Sequence, residues 1–364
     1  MISQLLAQFL KHIDSFLMAC LFFTLMIGLF VLYSASGQDG SRVYAQCVNI
    51  VVALSFMWIA ANIAPNQLER IALPLYVLGI LLLIAVELFG SFSHGAQRWL
   101  NLGFTKIQPS EVMRIAMPMM LAWYFSKRES KPVVIDFVTA SLFLLIPVAL
   151  IMKQPDLGTA LLIMASGFYV LFLAGLSWKL LVGVVVLFGA STPIFWSMLH
   201  DYQRRRIEIL FDPTQDPLGS GYHTIQAIIA IGSGGAAGKG WLNGTQAQLD
   251  FLPERTTDFI FAVFSEEFGL LGNLLLVGLF TLIVLRGLVI AYQAQSTFGR
   301  LLAGSISLTF FTYAFVNMGM VTGILPIVGV PLPLISYGGT SMVMLCLSLG
   351  ILMSIQTHKK LVAT

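Results

Sequence analysis

The sequence predicts an all-α polytopic membrane protein, with about ten transmembrane helices and one long extracytoplasmic loop carrying interfacial helices. Three observations lead there. Of the 364 residues, 57% are hydrophobic and 10% charged, with a mean hydropathy of +0.87, far from the composition of a soluble globular chain. Uncharged runs of membrane length recur near 14–35, 43–64, 71–92, 109–126, 134–152, 157–175, 178–198, 256–286, 299–323 and 335–356. Between the seventh and eighth runs lies one interruption, 199–255, too long for a plain connector. Residues 1–364 read as a single membrane domain.

The first run, Phe16 to Leu32, lacks a clear small-residue cleavage site and is followed by many more spans, so it reads as a retained helix and not as a signal peptide. Cys20, Cys47 and Cys346 are odd in number, share no spacing and fall in apolar runs; they read as packing residues. A net charge of +3, scattered over loops, gives no nucleic-acid footprint. An even number of spans puts both termini on one side. Lys11, Arg70, Lys127, Arg128, Lys131, Lys179, Arg286, Arg300, Lys359 and Lys360 then share that side, against Arg42, Arg98, Lys106 and Lys153 on the other. The basic excess assigns the termini to the cytoplasm and the long loop to the outer face.

The fourth run opens on Gln108-Pro109-Ser110-Glu111, a helix start with an acid at the positive end of the dipole. Glu111 and Arg114 lie three apart on one helix face. They are either a self-neutralising structural pair or, with Arg98, Lys106, Lys153 and Asp156 in loops of the same outer face, a charged wall of a substrate groove. In the long loop, Asp201 to Leu210 is a basic amphipathic helix candidate and Tyr222 to Ile231 an interfacial helix. The stretch Gly232 to Gly240 is not a nucleotide-binding P-loop, because Ser233 stands where the first glycine belongs and Gly240 where Ser or Thr is needed.

The chain is organised around FLPERTTDFIFAVFSEEFG, Phe251 to Gly269, where the polar loop meets a long apolar helix. A helix from Pro253 to Arg286 would be about 50 Å long against a hydrocarbon core of about 30 Å, so one end must protrude. Asp258 then sits about 15 Å beyond the uncharged run, at lipid-headgroup depth, with Glu254 within roughly 40° and Glu266 within roughly 80° on the helical wheel. Pro326, Pro331, Pro333 and Gly338-Gly339 predict an irregular entry to the last span, tolerable at that depth only against protein or a cavity. Asn317, mid-span, predicts an interhelical hydrogen bond.

No metal-ligand spacing of His and Cys, no HExxH and no GxSxG occurs. What is left is a set of carboxylates and cations on one face beside an irregular wall. Glycosyl transfer needs that combination, a base for a sugar hydroxyl and positive charge for a departing pyrophosphate. An ion-coupled transporter uses similar residues, usually at the bilayer midplane.

SASGQD (34–39), GAQRWLNLG (95–103), QPSE (108–111), KQPDLGTA (153–160), HDYQRRRI (200–207), DPLGSGYHTIQ (216–226), IAIGSGG (229–235), GKGWLNGTQ (238–246), the Phe251 to Gly269 stretch and PLPLISYGGTS (331–341) together resemble the SEDS family, nearer its elongation enzymes than its division paralogues. The resemblance implies a ten-span peptidoglycan glycosyltransferase of the cytoplasmic (inner) membrane that polymerises lipid II on the outer face during cell-wall elongation, in the company of a class B penicillin-binding transpeptidase and other elongation-complex membrane proteins. It implies that Asp258 is the catalytic residue. Asp258 would then act as general base, with Glu254 either raising its basicity through like-charge proximity or binding a divalent cation, Mg or Mn. Arg98, Arg114 and Lys153 would hold phosphate or an acidic partner, and Glu111 and Asp156 would orient them. At position 114 the family commonly carries Lys; Arg114 keeps the charge in a forked guanidinium. The alternatives are a lipid II flippase and a non-catalytic elongation scaffold.

Overall fold

Aspartates and prolines set the helix starts. Asp14 Oδ1 accepts the Leu17 N–H (2.9 Å) to begin α1, Ser15–Ala35, and Asp39 Oδ1 accepts the Ser41 N–H (2.9 Å) to begin α2, Gly40–Asn62. Pro65 and Pro109 occupy the first turns of α3, Pro65–Phe89, and α4, Pro109–Ser126, where the missing N–H is harmless. Then follow α5, Val134–Lys153; α6, Leu157–Leu173; α7, Trp178–Met198; α8, Ser220–Gly234; the single turn α9, Thr245–Gln248; α10, Ile260–Gln293; α11, Thr297–Val321; and α12, Gly339–Thr357. The computed structural model describes residues 11–93, 96–101, 106–128, 131–198, 204, 208–213, 220–249, 251–252 and 254–358. Most of the amphipathic candidate at 201–210 lies outside them.

Among the described residues seven helices, α1, α2, α3, α5, α10, α11 and α12, are long and apolar enough to cross a membrane. Their burial sorts them. In α11 61% of the apolar window is covered by protein, in α2 only 22%, so α11 is a central post and α2 faces lipid with Val51, Phe56 and Ile59. The less apolar α4 lies inside the bundle, burying Met113, Met117, Met119 and Met120 against α3, α6 and α11. Flexible thioethers suit such a many-sided contact. At one end of the bundle Arg286 grips Asp14 with both nitrogens, joining α10 to α1, and Ser354 reaches the Ile63 carbonyl. Cys20 and Cys346 are buried and Cys47 is exposed; all three are free.

The connection from α3 to α4 holds a small antiparallel sheet, β1 (Ser91–Ser93), β2 (Ala96–Asn101) and β3 (Lys106–Ile107), in the order β1-β2-β3. Strands this short leave too little alternation to register against the apolar runs on either side.

The long helix differs from its sequence-based boundaries at both ends. It starts at Ile260 and continues past Arg286 to Gln293. Glu254 takes a left-handed backbone (φ 54), so residues 254–259 form turns, and angles on a helical wheel do not relate Glu254, Asp258 and Glu266. Pro253 lies outside the described residues. The helix is also broken at Gly269 (φ 61, ψ −158), a conformation open only to glycine.

The glycine-rich loop after α8 repairs that break. Leu270 and Leu271 donate their N–H groups to the carbonyls of Gly235 (2.9 Å) and Ala236 (3.1 Å). In return Lys239 and Gly240 donate to the carbonyls of Glu266 and Glu267 (both 3.0 Å). Below the break, Glu266 Oε1 accepts from Lys239 Nζ (2.7 Å), Thr245 N–H (2.9 Å) and Thr245 Oγ1 (3.0 Å). The loop therefore wraps a carboxylate and a helix break, with the N–H groups of Gly238, Lys239 and Gly240 spent on protein acceptors.

Gly238 has φ +79, and a methyl there would stand 2.1 Å from the Glu267 carbonyl oxygen. Gly238→Ala is expected to cost about 1–3 kcal/mol, seen as a lower thermal midpoint in detergent. Gly278→Ala, in α10 with open space around it, is expected to be neutral or to add up to about 1 kcal/mol.

Candidate active site

Asp258 sits in the last turn before α10, half-buried, beside the irregular segment that joins α11 to α12. Its side chain faces Gly329, where an added methyl would lie 3.4 Å from Oδ2. Gly329 itself has φ +71, so at this point the wall of the site is bare backbone. The turn is stitched to that wall through its carbonyls. Asn317, buried in α11, donates Nδ2 to the Asp258 carbonyl (2.9 Å) and to the Val330 carbonyl (2.7 Å). Ser336 Oγ donates to the Thr257 carbonyl (2.6 Å), and the Tyr337 N–H donates to the Thr256 carbonyl (2.9 Å). Asn317 thus bonds backbone of two irregular segments, where a helix-to-helix bond is expected. Glu254 is exposed, and its Oε2 accepts from Thr257 Oγ1 (2.7 Å).

Asp258 lies ahead of the membrane-crossing helix. Burial first, and then the like charge of Glu254, push its carboxyl up from 3.8 to about 6. A carboxylate in that range is a usable base near neutrality and a stronger one than a solvated aspartate.

The cationic side of the same bundle end is built from α4, β2 and the start of α6. Arg114 Nη1 lies 2.6 Å from Glu111 Oε2, both side chains buried, and the guanidinium carbon stacks 4.9 Å from the centre of the Tyr313 ring. Glu111 Oε1 accepts from Ser341 Oγ (3.1 Å), tying α4 to the first turn of α12. Asp156 caps α6 by accepting the Thr159 N–H (3.3 Å), while its Oδ2 accepts from Gln108 Nε2 (3.2 Å) and lies 3.9 Å from Arg98 Nε. Arg98 also donates to the carbonyls of Gln154 and Pro155. Lys153 makes an exposed pair with Glu87 (3.4 Å).

Six of the seven residues singled out from the sequence, Asp258, Glu254, Arg98, Glu111, Arg114 and Asp156, therefore line one end of the bundle in charged or hydrogen-bonded settings. Lys153 shares that end but turns to Glu87. Glu266, in α10, points its carboxylate to the glycine loop and to Thr245, apart from the Asp258 turn. Sequence reasoning missed Ser336, Ser341 and Tyr313, although the first two stand in the SYGGTS string. Among the described residues no group of three or more His, Cys, Asp or Glu side chains converges. Glu254 and Asp258 offer two carboxylates, enough for a cation that takes its other ligands from water or phosphate.

These features define a polytopic helical membrane protein with a half-buried base and a guanidinium–carboxylate cluster at one end. Over residues 14–361 the chain matches the family model of the cell cycle proteins FtsW, RodA and SpoVE. It is 50% identical to the peptidoglycan glycosyltransferase MrdB of Escherichia coli K12 across 97% of this chain and 95% of that protein. It is 32% identical to the peptidoglycan glycosyltransferase RodA of Treponema pallidum across 92% and 95%. A solved chain from a peptidoglycan synthase complex that coordinates polymerization and crosslinking superposes with a TM-score of 0.82, at 32% identity over 94% of this chain and 97% of that one. The RodA rod shape determining protein of Thermus thermophilus does so at 0.71, with 28% identity over 94% and 96%. The chain belongs to the FtsW/RodA/SpoVE family, the SEDS family, and it is a peptidoglycan glycosyltransferase.

The raised carboxyl of Asp258 has a consequence for stability. Between about pH 4 and 6 the folded protein holds a proton there that the unfolded chain releases, so this group's contribution is full below about 4 and lost above about 6. Asp258→Asn removes the cost of the buried charge. It is expected to melt higher than the parent at pH 7.5, by up to about 3 kcal/mol, with the gap closing towards pH 4. Thermal denaturation of both proteins across that range reads it directly.

Proposed function

We propose that the protein polymerises lipid II into β-1,4 glycan strands on the outer face of the inner membrane, with Asp258 as the general base. The observation that carries this reading is the half-buried Asp258 carboxylate, set against the bare backbone of Gly329 at the bundle end that also holds Arg98 and Arg114. A sugar hydroxyl is too weakly acidic to ionise in advance, so the base takes its proton as attack proceeds. The 4-hydroxyl oxygen of the acceptor GlcNAc bonds to the anomeric carbon of the donor MurNAc, its proton passing to Asp258. The bond from that carbon to the undecaprenyl pyrophosphate breaks, and the lipid pyrophosphate departs with the electron pair. Direct displacement inverts the α-linked donor to a β product and needs no covalent enzyme intermediate.

Arg114 and Arg98 meet the charge growing on the pyrophosphate, with Glu111 and Asp156 fixing their orientation. A guanidinium held by one carboxylate and stacked on Tyr313 keeps its remaining donors in a fixed fork, which suits phosphate oxygens. Lys153 faces the same end from an exposed position and joins the phosphate-binding set only by leaving Glu87. If a divalent cation, Mg or Mn, takes part, Glu254 and Asp258 are the residues that would hold it, beside the pyrophosphate whose charge it would offset. Ten spans with both termini in the cytoplasm complete the reading, and the basic residues of the short loops support that orientation. A crosslinking transpeptidase is the natural partner, since the solved relative comes from a complex that coordinates polymerization with crosslinking.

Purified protein supplied with lipid II, alone and with a transpeptidase, is expected to yield glycan chains resolvable on a gel, with a rate falling about tenfold per pH unit below about pH 6 as Asp258 takes up its proton. Asp258→Asn is expected to abolish the product at every pH. An Asp258→Asn protein that folds and polymerises at the parental rate would end the assignment. Transbilayer movement of lipid II in liposomes without glycan product would make the protein a flippase.

A further inference from the structure

Among the described residues no hydrogen-bond donor reaches the Asp258 carboxylate, so its position is set through its own backbone. That backbone is held at three consecutive carbonyls, Thr256, Thr257 and Asp258, by the Tyr337 N–H, Ser336 Oγ and Asn317 Nδ2. Two of the three donors are side chains. Each of these also bonds the opposite segment: Asn317 donates to the Val330 carbonyl, and Ser336 Oγ accepts the Leu332 N–H (2.8 Å). From this arrangement we infer that Asn317 and Ser336 are positioning residues, which fix the Asp258 carboxylate in place by bolting its turn to the 326–337 wall. The inference rests on the reading of Asp258 as the base.

The chemistry of each side chain fits that task. A primary amide carries two N–H bonds on one nitrogen, so Asn317 grips both carbonyls from within α11 without bringing in a charge. The grip leaves Asn317 Oδ1 buried without a partner, a cost that an apolar residue would not incur. Ser336 is both donor and acceptor, so it closes the wall on itself while holding the turn. Gln46 extends the frame from α2, donating Nε2 to the Ser336 carbonyl (3.3 Å). The wall, 326–337, and the stretch of chain leading into it, 301–325, carry no charged residue, and Glu254 on the turn itself is the charged group that acts on Asp258. Loosening the clamp therefore changes the distance of Asp258 from substrate and its access to water, with no charge on the wall to compensate and with Glu254 and Arg255 carried on the same turn.

The experiment uses the full chain in nanodiscs with lipid II, recording initial rates against lipid II concentration from pH 5 to 8 for the parent, Ser336→Ala, Ser336→Thr, Asn317→Leu and Asp258→Asn. Ser336→Ala and Asn317→Leu are expected to lower kcat about 10- to 100-fold with KM within about twofold. The acid limb of their profiles is expected to move to lower pH as water enters. Ser336→Thr, which keeps the hydroxyl, is expected to recover most of what Ser336→Ala loses. Where Asn317→Leu fails to elute as a folded species, the two Ser336 variants decide. Parental kcat and an unmoved acid limb in Ser336→Ala, beside an inactive Asp258→Asn, overturn the positioning role and leave the base assignment standing. A lower rate with an unmoved acid limb and no recovery by Thr makes Ser336 merely structural and also overturns it. A parental rate in Asp258→Asn removes the base assignment, and the positioning role with it.

Discussion

Backbone polar groups at membrane depth have no water to bond, and every departure from helix must find its partners within the protein. Two such departures shape this molecule. One is the break at Gly269, where the carbonyls and N–H groups freed on either side pair with the 235–240 loop. The other is the non-helical pair of segments 254–259 and 326–337, which satisfy each other through Ser336, Tyr337 and Asn317. Helix ends elsewhere are capped by ordinary means; these two places require matched partners distant in sequence.

Both repairs lie along α10 and explain why a polar loop and an apolar helix form one working unit. Glu266 and Glu267 are buried under the loop that mends the break, Glu266 against Lys239 and Thr245, Glu267 against Ser34 and the Leu242 N–H. These acids hold α1, α8 and the loop around the first turns of α10. Asp258, just ahead of that helix, is released from such structural duty and meets bare backbone instead. Of the four acids between 254 and 267, Glu266 and Glu267 thus have structural partners, Glu254 is exposed with Thr257 beside it, and the Asp258 carboxylate faces Gly329.

The cationic half of the site follows the same economy. A guanidinium inside the bundle needs its charge matched, and Arg114 has Glu111 on one side and the Tyr313 face on the other, while its Nε is left without a protein partner. Glu111 in turn reaches Ser341 in α12, and Asp156 links Gln108, Arg98 and the first turn of α6. Helices α4, α6 and α12 and strand β2 therefore share one network of charge. That network orients its charged groups through their own partners, which is the preorganisation the proposed pyrophosphate site would require.

How much of this was legible beforehand depends on the range of the interaction. Apolar runs, capping aspartates and first-turn prolines are local signals, so the helices, the pairing of Glu111 with Arg114 and the irregular entry to α12 could be read directly. The motif strings carried the family and pointed to Asp258. The true start of α10 could not be read, because residues 254–259 are held out of helix by bonds to Ser336, Tyr337 and Asn317, far along the chain. The sequence excluded a P-loop at 232–240 but could not show that this loop meets a broken helix, because the partners lie about thirty residues further on. By itself the sequence determined that the chain is built of apolar helices of membrane length with its charged residues gathered near their ends, since both follow from residue type and spacing. Only the tertiary structure decided which of the four acids between 254 and 267 has its carboxylate engaged by protein donors, because that depends on who donates to whom across segments that chain order keeps apart.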